Sequence, residues 1–353
     1  MTRKIKPLNP LKDKDQPLMS SRSLDVVAIG NAIVDVLAHT DDAFIQSQAD
    51  AGMIKGAMAL IEQSRAVELY GLMNDTVERS GGSAGNTIAG VASFGGKGAY
   101  IGKVADDTLG QVFRKEMRDM GVVYNTTPLI VGAPTARCLV FVTPDAQRTM
   151  NTYLGACLEL GVDDLDSSLI QNAQVTYLEG YMFDPEQAKA MFRAAADIAH
   201  KSGNRVALSL SDPFCVDRHR EDFQNFVENH TDILFANEAE IISLYQTETF
   251  EQAAKIVAGK VGIAALTRSE KGSVIVADGE FIEIAAAPVA QLMDTTGAGD
   301  QYAAGFLYGL TQGMDMQMCG QLGSLAAAEV ISHMGPRPEM AYADFVTKIA
   351  KAA

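Results

Sequence analysis

Met293-Asp294-Thr295-Thr296-Gly297-Ala298-Gly299-Asp300 runs without a break into an apolar stretch over residues 302–310. Two glycines flanking an alanine let the backbone turn tightly, and the helix predicted to follow directs its unpaired N-terminal amides at the same point. The result is an anion cradle with a carboxylate inside it. In the bare Gly-Ala-Gly-Asp string, Asp300 can simply complement the helix dipole. The other reading gives it work: it takes a proton from an attacking hydroxyl while the amides of Gly297, Ala298 and Gly299 hold the group being transferred. A proton acceptor beside an oxyanion-type cradle is the minimum equipment for phosphoryl transfer to a small molecule.

The chain of 353 residues is long enough for one large α/β unit or two modest ones. Its 47% hydrophobic and 21% charged content is ordinary for a globular enzyme. A formal net charge of −15 argues against nucleic acid as a partner, because binding a run of phosphates requires local excess cation. It leaves a nucleotide such as ATP open, since that needs only a local cluster and a metal ion. Cys138, Cys157, Cys215 and Cys319 lack metal-type spacing and read as free thiols in a reducing, cytoplasmic compartment. No apolar run reaches the roughly 18 residues that cross a bilayer, so no membrane partner is expected. Residues 1–23 carry five Lys and Arg through Lys14 and three prolines, without the hydrophobic core of a signal peptide, and read as a disordered N-terminal tail.

From residue 24 onward the pattern is that of a layered α/β fold. Residues 24–29 form a short apolar run suited to a buried parallel strand, ending in Gly30-Asn31. The run over 33–38 is interrupted by Asp35, a carboxylate that either faces solvent or meets ligand hydroxyls. A helix is predicted over 41–53 and a strand over 57–61. Ser80-Gly81-Gly82-Ser83-Ala84-Gly85-Asn86-Thr87 opens an amphipathic helix. It matches neither a Walker A loop nor a dinucleotide fingerprint. Gly81-Gly82 permits a ligand to approach the backbone closely, and Asn86 offers an amide one turn later. A strand over 97–104 and a helix over 106–120, stopped by Gly121, come next. Alternation over 136–142 and 148–153, joined by a Thr-Pro-Asp turn, predicts a β-hairpin. From 175 on, strands and helices alternate, which implies a mostly parallel sheet with helices on both faces and ligands beyond the carboxyl ends of its strands.

Taken in this order along the chain, Asp294-Thr-Thr-Gly-Ala-Gly-Asp300, Ser80-Gly81-Gly82 with Asn86, and Gly102-Lys-Val-Ala-Asp-Asp-Thr-Leu-Gly110 resemble the signatures of the ribokinase-like, or PfkB, family of carbohydrate and nucleoside kinases. The start Gly30-Asn31-Ala-Ile-Val-Asp35 is similar to the nucleoside-binding start of its adenosine kinases. The resemblance implies a three-layer α/β/α fold over 24–353 with a mostly parallel central sheet. It also implies a small β-sheet lid, drawn from 33–62 and 124–155, that covers the substrate.

It implies that Asp300 is the base, that Asn31, Asp35, Gly81, Gly82 and Asn86 hold the sugar, and that ATP lies against Asn237, Glu240, Thr267, Gly272 and Gly335. Glu240 would organise Mg²⁺ through water, and Asp294 with Thr296 matches positions that can hold a monovalent cation such as K⁺. The acceptor so implied is the 5′-hydroxyl of adenosine, giving AMP and ADP, with a sugar such as ribose or fructose, or inosine or guanosine, as alternatives. Both a monomer and a homodimer fit this family, and edge propensity does not choose between them.

Two features depart from the plainest pattern: Ser269 stands where the family commonly has glycine, and Gln301-Tyr302 replaces smaller residues after the base. Arg137 and Arg148 read as surface arginines of the hairpin, with contact to phosphate as the other option.

Overall fold

The computed structural model describes residues 22–145, 147–289 and 291–352. The strands are Leu24–Ile29 (β1), Ile33–His39 (β2), Met58–Leu60 (β3), Val77–Ser80 (β4), Gly98–Ile101 (β5), Val123–Tyr124 (β6) and Ala136–Val142 (β7). They continue with Arg148–Tyr153 (β8), Ala173–Glu179 (β9), Arg205–Ser209 (β10), Ile233–Asn237 (β11), Ile263–Thr267 (β12), Ser273–Ala277 (β13) and Glu280–Ile284 (β14).

Nine of these make one sheet in the order β14-β13-β12-β11-β10-β9-β1-β5-β6. It is parallel from β12 through β6, and only the β12–β13–β14 edge is antiparallel. The alternation in β1 shows how the layers form. Val26 and Ala28 join a core with Ile88 and Phe306 on one face, while Val27 and Ile29 join Phe192, Phe226 and Leu244 on the other. A strand buried on both faces needs apolar residues along its length, and 24–29 supplies them at every position but Asp25, whose carboxylate near the strand start accepts from Lys97 N at 2.8 Å. Chain order reverses between β1 and β9, which pair directly. This is a topological switch point, where the strand ends open a crevice. Gly30-Asn31 and Glu179-Gly180 are the residues that end there.

The second sheet runs β3-β8-β7-β2-β4. One of its faces contributes Val34, Val36, Leu139 and Phe141 to the main core. The other groups Cys138 and Val140 with Ile33, Met150 and Met334, which stands on a bend near the C-terminus. That second face overhangs the switch point.

The architecture agrees with the ribokinase-like expectation, and four local readings need correction. The lid also includes β4, from outside 33–62 and 124–155: Val-Glu-Arg-Ser is too short and too charged to register as a strand until Val34, Val36 and Leu37 pair with it. Tyr124 belongs to the large sheet, paired with Tyr100, so the hairpin enters the lid only at Ala136. The helix expected over 41–53 stops as Asp42–Ser47 and yields to a single 3₁₀ turn, Ala49–Ala51, closed by Gly52 in the left-handed region. Arg22 does not float in a tail: its guanidinium donates to Ser202 O at 2.8 Å. The remainder of the expected tail, 1–21, lies outside the described residues.

Candidate active site

Gly297 caps the helix Ala298–Thr311 with φ +82°. A Cβ there would fall 2.7 Å from Pro336 Cβ, so the cradle closes this tightly only because position 297 has no side chain. Ala298 N reaches Thr295 O at a long 3.3 Å. As groups of a helix start, the amides of Gly297, Ala298 and Gly299 have no carbonyl of their own helix to meet. All three residues line a cavity of about 890 Å³ that extends from under the lid to the ends of β10, β11 and β12.

Asp300 stands in the first turn, and its carboxylate is held from a second helix, Ser83–Ser93. Ser83 Oγ donates to Oδ1 at 2.6 Å and Asn86 Nδ2 donates to Oδ2 at 2.9 Å. A carboxylate in the first turn of a helix is favoured in its ionised form by the helix dipole. In the structure burial is the larger influence and pushes Asp300 up to about 6, against the pull of the Ser83 and Asn86 hydrogen bonds and of the Arg337 cation. At neutral pH it is still mostly a carboxylate, now with a proton affinity closer to that of a working base.

The residues assigned to the sugar converge on the same space. Asp35 projects from β2 into the cavity. Burial raises it to about 6, moderated by Arg148 and Arg337. Gly81 packs on it so closely that a Cβ would lie 2.5 Å from Oδ2. Gly82, at φ +81°, has Asn31 O 2.2 Å from where its Cβ would be. Asn86 Oδ1 is buried without a partner among the described residues. Asn31 lines the cavity too, although its amide is already engaged, donating to Glu179 Oε1 at 2.8 Å.

At the opposite end Asn237 and Glu240 form a reciprocal cap on the helix Glu238–Tyr245. Asn237 Oδ1 accepts from Glu240 N at 2.8 Å, and Asn237 N donates to Glu240 Oε2 at 2.9 Å. The structural explanation for this pair is therefore complete. Both residues nonetheless line the cavity, and burial lifts Glu240 to about 7, with the negative charges of Asp212 and Asp300 adding to it. Thr267, ending β12, lines the cavity as well. Gly272 does not: at φ +83°, with Ile284 O 2.0 Å from an added Cβ, it serves the turn into β13.

Asp294 is bound to Arg148, accepts from Thr296 N at 2.9 Å, and accepts from Gly335 N at 3.0 Å. Thr296 lines the cavity beside it. Arg148 is thus no surface arginine. Its side chain is 7% exposed and joins the lid strand β8 to the loop that precedes the cradle. Arg137, at the far end of the same hairpin, lies over the Tyr70 ring at 5.6 Å.

Several residues here escaped the sequence reading. Glu179, 1% exposed at the end of β9, accepts from Ala84 N at 2.8 Å as well as from Asn31, and burial raises it to about 7. An acid closing a β-prone run was the available signal, akin to the one that marked Asp35. Ser83, Asp212 and Arg337 carried none, because hydroxyls, loop acids and a lone arginine near the C-terminus are common everywhere.

A family model described as pfkB family carbohydrate kinase matches residues 54–341. The chain is 50% identical to the adenosine kinase from Sinorhizobium meliloti, with a TM-score of 0.84 over 94% of this chain and 99% of that one. A probable sugar kinase from Rhizobium etli CFN 42 is 47% identical, with a TM-score of 0.86 over 93% and 99% of the two chains. Adenosine kinase 2 of Arabidopsis thaliana is 25% identical over 350 residues, covering 90% of this chain and 97% of its own. With its signatures brought around one cavity and a family match spanning most of its length, the chain belongs to the pfkB family of carbohydrate kinases and is a kinase with the ribokinase-like fold.

Proposed function

We propose that the protein transfers the γ-phosphoryl group of ATP to the 5′-hydroxyl of adenosine, giving AMP and ADP. The observation that carries this reading is Asp300, fixed by Ser83 and Asn86 between a cradle of helix-start amides and the Asp35 pocket. Asp35 would accept hydrogen bonds from the ribose 2′ and 3′ hydroxyls. Gly81 and Gly82 allow the sugar ring to approach, and the partnerless Oδ1 of Asn86 is available to a further hydroxyl. This arrangement leaves the 5′-oxygen near Asp300, which accepts its proton as the bond to phosphorus forms. The transition state is loose and asks little of a base, so a carboxylate near 6 suffices. The amides of Gly297, Ala298 and Gly299 would take the charge developing on the phosphoryl oxygens. Ile33, Val140 and Met150, on the lid face over the cavity, would cover the base of the nucleoside and exclude water.

The donor set fits Mg²⁺. Among the described residues no three His, Cys, Asp or Glu side chains converge on a metal-sized site, and a cation that prefers one or two carboxylates plus phosphate oxygens needs no such cluster. Glu240 and Asp212 would hold it, Glu240 through water. When bound, the ion supplies neutralisation of phosphate charge. Burial raises the Glu240 carboxyl, with the charges of Asp212 and Asp300 adding to it, and a cation bound beside it would favour its ionised form. Potassium has less room, because it would find the Asp294 carboxylate already matched by Arg148. Four buried free thiols and the absence, among the described residues, of any helix long and apolar enough to cross a membrane fit a cytoplasmic enzyme.

The acceptor is tested by competition binding with adenosine against ribose, followed by an ATP-consumption screen over adenosine, inosine, guanosine, ribose and fructose, with and without potassium. Adenosine is expected to bind saturably and to displace any sugar. Saturable ribose binding with no adenosine binding would transfer the reading to a sugar kinase, a name one of the similar structures carries.

The pH dependence follows from the same base. Asp300 accepts a proton only when ionised and loses its charge as pH falls through about 6. The kcat profile should therefore be flat near neutrality and drop below that point, approaching tenfold per pH unit. A profile flat down to pH 5 would remove Asp300 from the proton path.

A further inference from the structure

Gln301 follows the base and is fully buried, 0% exposed. Its Nε2 donates to two carbonyls from different parts of the chain, Asn86 O at 3.1 Å and Pro336 O at 2.9 Å. Asn86 is the residue whose amide grips Asp300, and Pro336 is the residue on which Gly297 closes. The side chain fits only because position 90 is glycine: a Cβ there would lie 2.2 Å from Gln301 Oε1. That oxygen has no partner among the described residues, and an unmet buried acceptor costs on the order of 1–3 kcal/mol. For filling volume alone an apolar side chain would do better. The amide's gain is the pair of bonds from its nitrogen.

We propose that Gln301 is a positioning residue for phosphoryl transfer: it ties the helix Ser83–Ser93 and the bend at Pro336 to the helix that carries Asp300, and so sets the length of the Asn86–Asp300 hydrogen bond. This rests on reading Asp300 as the base. Without the tie the two helices keep their apolar contact but lose the restraint at the one turn where the base is held. Misplacement of a catalytic group by a fraction of an ångström is enough to slow a reaction that depends on alignment. A longer Asn86–Asp300 bond also stabilises the carboxylate less, so the acid limb of the rate profile moves to higher pH. The other groups facing Asp300 are Arg337 on the bend, Asp35 on β2, Tyr177 and Glu179 on β9, Tyr181 just beyond it, and Glu240. A neutral substitution at 301 alters the formal charge of none of them.

The test is steady-state kinetics from about pH 5 to about pH 9 on the acceptor that wild type phosphorylates, comparing wild type with Gln301→Met, Gln301→Ala and Asp300→Asn. Gln301→Met keeps the volume and removes the donor. It should lower kcat about tenfold, leave the acceptor KM within about twofold, and move the acid limb up by about half a pH unit. Gln301→Ala should show the same limb shift. Normal kcat per folded molecule with an unmoved limb in both variants overturns the inference, even if Tm falls. Near-normal turnover of Asp300→Asn overturns instead the reading on which it rests. Should neither Gln301 variant fold, a crystal structure of wild type with nucleoside and a non-hydrolysable ATP analogue decides. Nε2 within bonding distance of both carbonyls supports the role, and a side chain turned away from either refutes it.

Discussion

Asp300→Asn is expected to bind nucleoside with near-wild-type affinity and to turn over about 10²–10⁴-fold more slowly, the usual loss on removing a general base. The substitution is nearly isosteric, and the carboxamide can keep both existing contacts. Its oxygen accepts from Asn86, and its nitrogen donates to Ser83, whose hydroxyl turns to accept. What disappears is the proton acceptor. A second consequence separates this loss from damage to the fold. The folded-state pKa of Asp300, about 6, lies above the ordinary 3.8, so the native state binds this proton more tightly than the unfolded chain does. Stability is then lost as pH rises through that window, because the charge must be buried. Asn carries no such charge. The variant should melt a few degrees higher than wild type near pH 7.5 and lose that advantage near pH 4. Near-normal turnover, measured with saturating ATP and acceptor, would refute the role assigned to Asp300.

Gly297→Ala should be the next most damaging single change, with kcat lowered at least about 10²-fold, as for loss of an oxyanion-hole donor. Two penalties coincide there. The residue sits at φ +82°, which an L side chain rarely adopts, and the added methyl would meet Pro336 Cβ, Cα and O at 2.7, 2.8 and 2.9 Å. Backbone cannot step aside as a flexible side chain can, so the helix start must shift and its amides lose their common aim. Gly299→Ala provides the contrast. Position 299 lies inside the helix, and its Cβ would meet no heavy atom within 4 Å. Its Tm should match wild type, whereas that of Gly297→Ala should fall. Equal Tm values for the two variants would show that the cradle is not closed against Pro336.

The difference between these two glycines marks the boundary between what could be read along the chain and what could not. In sequence they are interchangeable members of Gly-Ala-Gly. Only the position of Pro336, which the fold brings back beside the cradle, separates a strained glycine from an ordinary one. Asp300, the paired glycines at 81 and 82, and Asn86 were legible because each belongs to a contiguous motif whose backbone geometry is local. The parallel sheet was legible in the same way, from short, mainly apolar runs such as 24–29 and 206–210 alternating with helical periods. The short lid strand β4 was not, since a four-residue segment becomes a strand only when a neighbour supplies its hydrogen bonds.

Arg148 shows the limit most plainly. Alternation in the hairpin suggests a surface arginine, yet the lid carries it 146 positions along the chain to Asp294. By itself, then, the sequence determined the fold class and the family. It also named the acid proposed as the base and the residues around it that belong to contiguous motifs. The tertiary structure alone decided which charges those groups face, and hence that burial outweighs the Ser83 and Asn86 hydrogen bonds at Asp300, that Glu179 braces Asn31, and that Gln301 bridges two carbonyls far from it in sequence. The reason is range: backbone conformation and apolar periodicity are set by neighbours in the chain, whereas desolvation and charge pairing depend on whatever the fold places within a few ångströms.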